Sequence, residues 1–205
     1  MARADGAGAE ETFVIMTTAE HKADLRRSIR TELKSLTPEA RARASAELCE
    51  RLRAQPIWRA AQSILCFVPT CDEPDIWPLI AGALAEGRRL LLPRYSPTTD
   101  TYVAAIISET SRDLRPGQFG ILEPTADCPI YNLKQLDLAL VPGLGFALNG
   151  VRLGRGQGYY DRLLAGVPGC KCGVAFDCQV TVEIPAEAHD VRVDCLLTPS
   201  RWQVV

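Results

Sequence analysis

The chain has 205 residues, of which 47% are hydrophobic and 23% charged, the composition of a globular protein with a sizeable core. Its formal net charge of -2 argues against a nucleic-acid-binding protein, which is usually basic. No apolar run approaches the length of a membrane span, and no early segment resembles a secretory signal. We therefore expect a cytoplasmic protein whose eight cysteines stay reduced.

The N-terminal segment is rich in Ala, Gly and Glu, and we expect residues 1–17 to form a disordered extension. A single domain is expected over 18–205. A chain that begins at Met16 should therefore retain the activity and the melting temperature of the full chain. A large loss of either, measured by a rate assay and by thermal unfolding, would show that the removed segment packs on the fold.

Patterns along the rest of the chain predict strands that alternate with helices. Apolar residues at helical spacing predict a helix over 18–36, and a Thr-Pro start predicts a second helix over 37–55. Further helices are expected to end at Gly87 and to begin near Tyr159. Strands are predicted over 63–68, 88–95, 101–107, 136–141, 171–176 and 193–198, and an irregular stretch over 112–133. This order predicts an α/β fold whose mostly parallel sheet is covered on both faces.

The stretch "GVRLGRGQGYYDRLL" (150–164) lies between a predicted strand and a predicted helix. Glycines allow backbone N–H groups to approach an anion closely, and the following helix start adds partial positive charge. Arg152 and Arg155 add guanidinium groups that match pairs of phosphate oxygens. This combination favours the phosphates of a nucleotide as ligand. The alternative is a flexible surface loop whose arginines are merely solvated.

Neither of two common nucleotide motifs matches this stretch. The Walker A motif needs Gly-Lys followed by Ser or Thr, and Tyr159 stands where a dinucleotide fingerprint has its last glycine. Asp161 lies in the first turn of the predicted helix. An acidic side chain there either interacts favourably with the helix dipole or serves as a ligand of Mg²⁺. The segment "HDVRVD" offers Asp190 and Asp194 as candidate partners, and Asp194 directly precedes an apolar run.

The cysteines of "CKCGVAFDC", Cys170, Cys172 and Cys178, are the one suggestive cluster of metal-ligating side chains. A zinc site would need paired C-x-x-C spacing or nearby histidines, and this stretch has neither. The alternating pattern favours a buried strand in which cysteine packs as a small hydrophobic residue.

The segment "VPGLGFALNGVRLGRGQGYYDRLL" closely resembles the signature of the 5-formyltetrahydrofolate cyclo-ligase (methenyltetrahydrofolate synthetase) family. Similar segments elsewhere are "KADLRRSIR", "FVPTCDEPDI", "LLPRY" and "GVAFDCQVTVEIPAEAHDVRVDCLLT", so the resemblance extends from about Lys22 to Thr198. It implies a single-domain three-layer α/β/α sandwich. The implied reaction converts 5-formyltetrahydrofolate to 5,10-methenyltetrahydrofolate with ATP and Mg²⁺, and the implied partners are these two small molecules. We expect a monomer or a weak dimer.

The resemblance also implies site residues by position. The metal ligands are Asp161 and Asp194, and the catalytic residues are Arg152 and Arg155. The residues implied to bind ATP are Lys22, Arg26, Arg152, Leu153, Gly154, Arg155, Gly156, Gln157, Gly158, Tyr159 and Tyr160. The residues implied to bind the folate are Val68, Glu73, Arg155, Gly156, Gln157, Gly158 and Tyr159.

One departure concerns Gln157, where family members carry lysine or glycine. Gln157 can donate hydrogen bonds but carries no charge, so we expect an effect on rate rather than on the reaction. Arg94 is a candidate for a compensating positive charge, or else a solvated arginine at a strand end. Two other functions stay open: a different ATP- or sugar-phosphate-dependent enzyme, and a non-catalytic nucleotide-binding module.

Overall fold

The computed structural model describes residues 17–187 and 190–205. Apart from Thr17, the predicted extension lies outside the described residues. The helices are α1 (Thr18–Ser35), α2 (Pro38–Arg53), α3 (Pro56–Ala60), α4 (Trp77–Ala85), α5 (Thr110–Asp113) and α6 (Tyr159–Leu164). The strands are β1 (Ser63–Leu65), β2 (Arg89–Ser96), β3 (Thr101–Ile107), β4 (Leu114–Pro116), β5 (Leu122–Pro124), β6 (Leu138–Pro142), β7 (Gly145–Ala147), β8 (Arg152–Leu153), β9 (Cys170–Val174), β10 (Val180–Thr181), β11 (Cys195–Leu197) and β12 (Trp202–Val204).

A seven-stranded sheet in the order β12-β11-β9-β6-β1-β2-β3 forms the centre of the molecule. The strands from β11 to β2 pair in parallel, and β12 and β3 pair antiparallel at the two edges. The carboxyl ends of the parallel strands therefore meet at one edge of the sheet. A smaller sheet in the order β10-β7-β8 lies beside this one, and β4 and β5 form a hairpin.

Both faces of the central sheet are covered. On one face, side chains of α2, α3 and α4 such as Leu48, Trp58 and Leu79 pack against alternate strand residues such as Ile64. On the other face, side chains of α6 pack in the same cluster as Leu65 and its neighbours on β2 and β6. Burial on two faces explains why the strands read as continuous apolar runs. The mostly parallel, two-sided α/β fold predicted from the sequence is confirmed.

Capping residues in the sequence determine where the first two helices begin. Thr17 and Glu20 form a reciprocal capping box at the start of α1, so Thr17 belongs to the domain rather than to the extension. Thr37 caps α2, whose first residue is Pro38, as the sequence predicts. The buried face of α1 packs on the small sheet through Ile29 and Leu33. This contact holds the N-terminal part of α1 beside the glycine-rich stretch.

No helix among the described residues is long and apolar enough to cross a membrane.

Candidate active site

One cavity, with a volume of about 640 Å³, opens at the carboxyl ends of the parallel strands. Its walls include Val68, just beyond β1, and Gly143, just beyond β6. Ligands of open α/β sheets bind at this edge. The cavity is lined by every residue that the family resemblance assigns to the site except Asp194.

The glycine-rich stretch forms one wall of the cavity, where β8 leads into α6. Gly156 (φ 106°) and Gly158 (φ 64°) adopt left-handed backbone angles that other residues rarely tolerate. Glycine at these positions lets the chain turn sharply beside the cavity. Since α6 is six residues long, we assign most of the positive charge of this wall to its arginines rather than to the helix start.

Arg152 is 6% exposed and lies beside Asp161 and the ring of Tyr160. Its Nη2 donates to Oδ1 of Asp161 at 2.8 Å, and its Nη1 donates to the Pro142 carbonyl at 3.4 Å. Its Nε is buried and has no hydrogen-bond partner among the described residues. Buried donors without an acceptor are rare in folded proteins, and this one, in a residue that lines the cavity, leaves a hydrogen-bond donor available to a ligand.

Arg155 joins the glycine-rich stretch to the segment that follows β1. Its Nη2 donates to Oγ1 of Thr70 at 3.1 Å and to Oε1 of Glu73 at 3.2 Å. The side chain of Glu73 is 9% exposed and also accepts from the Thr70 backbone N–H at 2.9 Å. The side chain of Arg155 is 46% exposed, so it remains accessible to a ligand between the two walls.

Lys22 and Arg26 bring positive charge from α1 to the cavity. Nζ of Lys22 donates to Oε2 of Glu187 at 2.7 Å and to Oδ2 of Asp190 at 2.8 Å. Burial lowers the pKa of Lys22, but its hydrogen bonds to Asp190 and Glu187 outweigh burial and leave the pKa above its ordinary value. Lys22 is therefore charged at neutral pH. Nε of Arg26 donates to the Gly154 carbonyl at 3.0 Å, which ties α1 to the glycine-rich stretch.

The part of the cavity near β2 and β3 is aromatic and apolar. Tyr95, Tyr102 and Tyr159 meet edge to face, with ring centroids 5.2 Å apart for Tyr102 and Tyr159 and 6.1 Å apart for Tyr95 and Tyr159. Burial and the nearby Glu123 raise the pKa of Tyr102 to about 12, so its hydroxyl stays neutral at physiological pH. Phe119 and residues 121–122 line the same cavity as Tyr102 and Tyr159.

The carboxylates that line the cavity, apart from Glu73 and Glu123, are Asp161, Glu187 and Asp190. Each is paired with a basic group, Asp161 with Arg152 and the other two with Lys22. The described residues contain no group of three or more His, Cys, Asp and Glu side chains that could hold a metal by themselves. One or two carboxylates suit a Mg²⁺ ion that takes its other ligands from phosphates and water.

Comparison with known families bears directly on this cavity. The model of the 5-formyltetrahydrofolate cyclo-ligase family matches residues 18–199. The chain belongs to this family. The match confirms the resemblance found in the sequence and the prediction that the protein is a cyclo-ligase enzyme. It spans α1, the glycine-rich stretch and all strands of the central sheet except β12.

Related proteins agree with this assignment over most of the chain. The 5-formyltetrahydrofolate cyclo-ligases of Mus musculus and Escherichia coli (strain K12) are each 29% identical to it. Those alignments cover 89% and 85% of this chain and 95% and 99% of the relatives. The NMR structure of Aquifex aeolicus 5,10-methenyltetrahydrofolate synthetase superposes with a TM-score of 0.81 at 33% identity, covering 89% of this chain and 92% of that chain. A Mycoplasma pneumoniae synthetase, 20% identical with a TM-score of 0.70, shares the fold.

Asp194 is the one implied site residue of this cyclo-ligase that the structure places elsewhere. It precedes the apolar run, as the sequence shows, and lies directly before β11 rather than inside the predicted strand over 193–198, which places it at the amino end of a parallel strand. Its carboxylate accepts from the Lys171 backbone N–H at 2.7 Å and pairs with Lys171 Nζ at 2.9 Å. The structure therefore does not bring Asp161 and Asp194 together at the cavity. Asp190, the other candidate from the same segment, does line the cavity.

Arg94, the candidate for a compensating charge, is not among the residues that line the cavity, and its Nη1 donates to the carbonyls of Thr125 and Cys128. Sequence reasoning missed Phe119 and Glu123, which lie within the stretch predicted to be irregular. That stretch contains the hairpin of β4 and β5, and its strands of three residues each are too short to show a periodic pattern.

Proposed function

We propose that this cyclo-ligase converts 5-formyltetrahydrofolate to 5,10-methenyltetrahydrofolate in a reaction that consumes ATP, requires Mg²⁺ and releases ADP and phosphate. The observation that carries the proposal is the convergence of four basic side chains on one cavity that also has an aromatic end. These side chains are Lys22, Arg26, Arg152 and Arg155.

The two ends of the cavity suit two different substrates. Lys22 and Arg26 on α1 suit the charged phosphate chain of ATP, because cations and forked guanidinium groups bind phosphate oxygens. Tyr102 and Tyr159 suit a flat, uncharged ring such as the pteridine of a folate. Arg155 directly follows Gly154, whose carbonyl Arg26 binds, and precedes Tyr159 in the glycine-rich stretch, so it would meet a group transferred from one substrate to the other.

The proposed chemistry starts with transfer of the γ-phosphoryl group to the formyl oxygen of the folate. The bond between this phosphorus and the ADP oxygen breaks, and a bond to the formyl oxygen forms. The N10 nitrogen then attacks the formyl carbon and loses its proton, and the carbon–oxygen bond breaks as phosphate leaves. Phosphorylation is needed because the oxygen of an N-formyl group is otherwise a poor leaving group.

The protein contributes positioning and charge to this reaction. Arg155, with its accessible guanidinium group, would stabilise negative charge on the transferring phosphoryl group. Arg152, held by Asp161, would present its buried Nε to a phosphate oxygen. Gln157 lines the same wall and would add a neutral hydrogen-bond donor where some relatives have a charged lysine.

Asp161 and Asp190 are the residues that would hold Mg²⁺ with ATP. Both line the cavity, and carboxylate oxygens are the ligands that Mg²⁺ prefers. When bound, the ion would neutralise part of the phosphate charge. Release of Asp190 from Lys22 would leave that lysine free to contact phosphate, with Glu187 remaining as its second partner.

The proposal predicts that the methenyl chromophore appears only when 5-formyltetrahydrofolate, ATP and Mg²⁺ are all present. Substrate carrying ¹⁸O in its formyl group should yield inorganic phosphate with one labelled atom per turnover, because the formyl oxygen leaves with the phosphate. Mass spectrometry of the phosphate measures this label. Methenyl product with unlabelled phosphate would rule out the phosphorylated intermediate, and ATP binding without any methenyl product would favour a non-catalytic module.

A further inference from the structure

The turn formed by residues 70–73 contacts Arg155 and lies outside the helices and strands, between β1 and α4. Two hydrogen bonds close it. The Glu73 N–H donates to the Thr70 carbonyl at 3.0 Å, and the Thr70 N–H donates to Oε2 of Glu73 at 2.9 Å. Oγ1 of Thr70 and Oε1 of Glu73 both accept from Nη2 of Arg155. The place of the Arg155 guanidinium group therefore depends on what holds this turn.

One face of α2 runs along the turn and the residues that follow it. Arg41, Ser45 and Cys49 are spaced four residues apart, so they lie on the same face of the helix. Nη1 of Arg41 donates to the Cys71 carbonyl at 2.9 Å. Oγ of Ser45 accepts from the Asp75 N–H at 2.9 Å, and Sγ of Cys49 donates to the Asp75 carbonyl at 3.5 Å. Of the three, Arg41 contacts the turn itself.

The guanidinium group of Arg41 is in turn held by the end of α1. Its Nη2 donates to the Leu33 carbonyl, and its Nε donates to the Leu36 carbonyl at 3.4 Å. Carbonyls at the end of a helix lack partners within it and carry partial negative charge, so they favour a cation. The Cζ atom of Arg41 also lies 5.6 Å from the centre of the buried Phe176 ring. Arg41 thus connects a packed support to the turn that contacts Arg155.

We propose that Arg41 is a positioning residue for the cyclo-ligase reaction. Through the Cys71 carbonyl it holds the turn 70–73, and through this turn it holds Arg155 at the transferring phosphoryl group. The inference rests on the proposed function, which gives Arg155 its role. Arg41 does not line the cavity, so it contacts neither substrate. Its effect is on kcat, because displacement of a group that acts on the transition state lowers the rate.

The first test compares kcat and melting temperature for two arginine variants of α2. Arg41→Ala is expected to lower kcat about tenfold, measured well below its melting temperature so that the enzyme is folded. Arg51→Ala is the matched control, because Nε of Arg51 also donates to a backbone carbonyl, that of Pro199, at 3.0 Å. Neither Arg51 nor Pro199 lines the cavity, so this variant should keep the parent kcat within about twofold even if it melts earlier. A parent-like kcat for Arg41→Ala would contradict the inference.

A double-mutant cycle identifies the residue through which Arg41 acts. Arg41→Ala introduced into the Arg155→Ala variant should lower kcat by no more than about twofold further, because the group to be positioned is already absent. A further tenfold loss would show that the two residues act independently, as a purely structural role of Arg41 would require. If Arg41→Ala does not fold, Arg41→Lys replaces it in the same cycle, since lysine keeps the charge but lacks the forked donor.

The same measurements separate this inference from the proposed function. If the parent enzyme forms the methenyl product and Arg155→Ala is impaired while Arg41→Ala is not, the inference is wrong and the proposed function stands. If the parent forms no methenyl product from 5-formyltetrahydrofolate and ATP, the proposed function fails and the inference fails with it.

Discussion

Replacement of Arg155 by alanine is expected to lower kcat by about 10²- to 10³-fold, equivalent to a loss of about 2.7 to 4 kcal/mol of transition-state stabilisation. The physical reason is its place between the two walls, where Nη2 contacts Thr70 and Glu73 while much of the side chain stays accessible. Steady-state kinetics with saturating ATP and 5-formyltetrahydrofolate measure the change. The KM for ATP should also rise, because the variant loses the contact between Arg155 and phosphate in the bound ATP.

The fold of the Arg155→Ala variant should be unaffected. The Arg155 side chain is 46% exposed, and an ion pair with one exposed partner contributes roughly 0 to 1 kcal/mol to folding. Glu73 keeps its hydrogen bond from the Thr70 N–H in the variant, so the melting temperature should change little. Arg30→Ala is the control, since Arg30 is an exposed arginine of α1 that does not line the cavity. A kcat close to that of the parent would show that Arg155 only links the two walls and does not act on the transferring group.

Arg152 would be a poorer choice for the same experiment. It is buried against Asp161, and its removal would leave that carboxylate without its cationic partner. Breaking such a buried pair typically costs about 3 to 5 kcal/mol of folding stability. A loss of activity in an Arg152→Ala variant would therefore combine a catalytic effect with unfolding, whereas the Arg155 variant separates the two.

Much of this site was predictable because its residues lie in strong local patterns. The glycine-rich stretch follows a strand and opens a helix, and such junctions lie at the carboxyl edge of a parallel sheet. The periodicity of α1 also places Lys22 and Arg26 four residues apart on one face. What the sequence did not show is that Lys22 is buried against Glu187 and Asp190, because those partners lie more than 160 residues away.

The position of Asp194 shows what strand direction adds to such reasoning. A residue that directly precedes a parallel strand lies at the amino edge of the sheet, opposite the edge where ligands bind. Asp194 precedes β11, and so its place in the sequence already argued against a role in the cavity. Asp190 lies four residues earlier in the sequence. Four residues of extended chain span up to about 13 Å, which is far enough to reach the carboxyl edge of the sheet.

The tight turns and the short strands of this fold could not be predicted from the sequence. The hairpin of β4 and β5 has strands of three residues each, and its turn depends on left-handed angles at Phe119 and Gly120. An aromatic residue in such a conformation is not something that propensity predicts. The same holds for β7 and β8, which have three and two residues and pack with Ile29 and Leu33 of α1. Tertiary contacts, rather than local pattern, decide these elements.

Replacement of Asp190 by asparagine is expected to raise the Mg²⁺ concentration needed for half-maximal activity by about tenfold or more. Asparagine retains a carbonyl oxygen but removes the negative charge that favours a divalent cation. The residue lines the cavity, and its segment carries no other described carboxylate that does so except Glu187. Activity measured against Mg²⁺ at fixed, saturating ATP gives the shift directly.

The matched control for this experiment is Asp194→Asn, which makes the same chemical change four residues away. Its side chain is 52% exposed and pairs with Lys171 outside the cavity, so its Mg²⁺ dependence should equal that of the parent. Asp161→Asn should also shift the Mg²⁺ dependence, because Asp161 shares the cavity, but it should lower the melting temperature as well, because it removes the anionic partner of the buried Arg152. The melting temperature separates loss of metal from loss of fold, since Lys22 keeps Glu187 as a partner when Asp190 is changed. If Asp194→Asn shifts the Mg²⁺ dependence while Asp190→Asn does not, the metal lies at the amino edge of the sheet, and the proposed role of Asp190 is wrong.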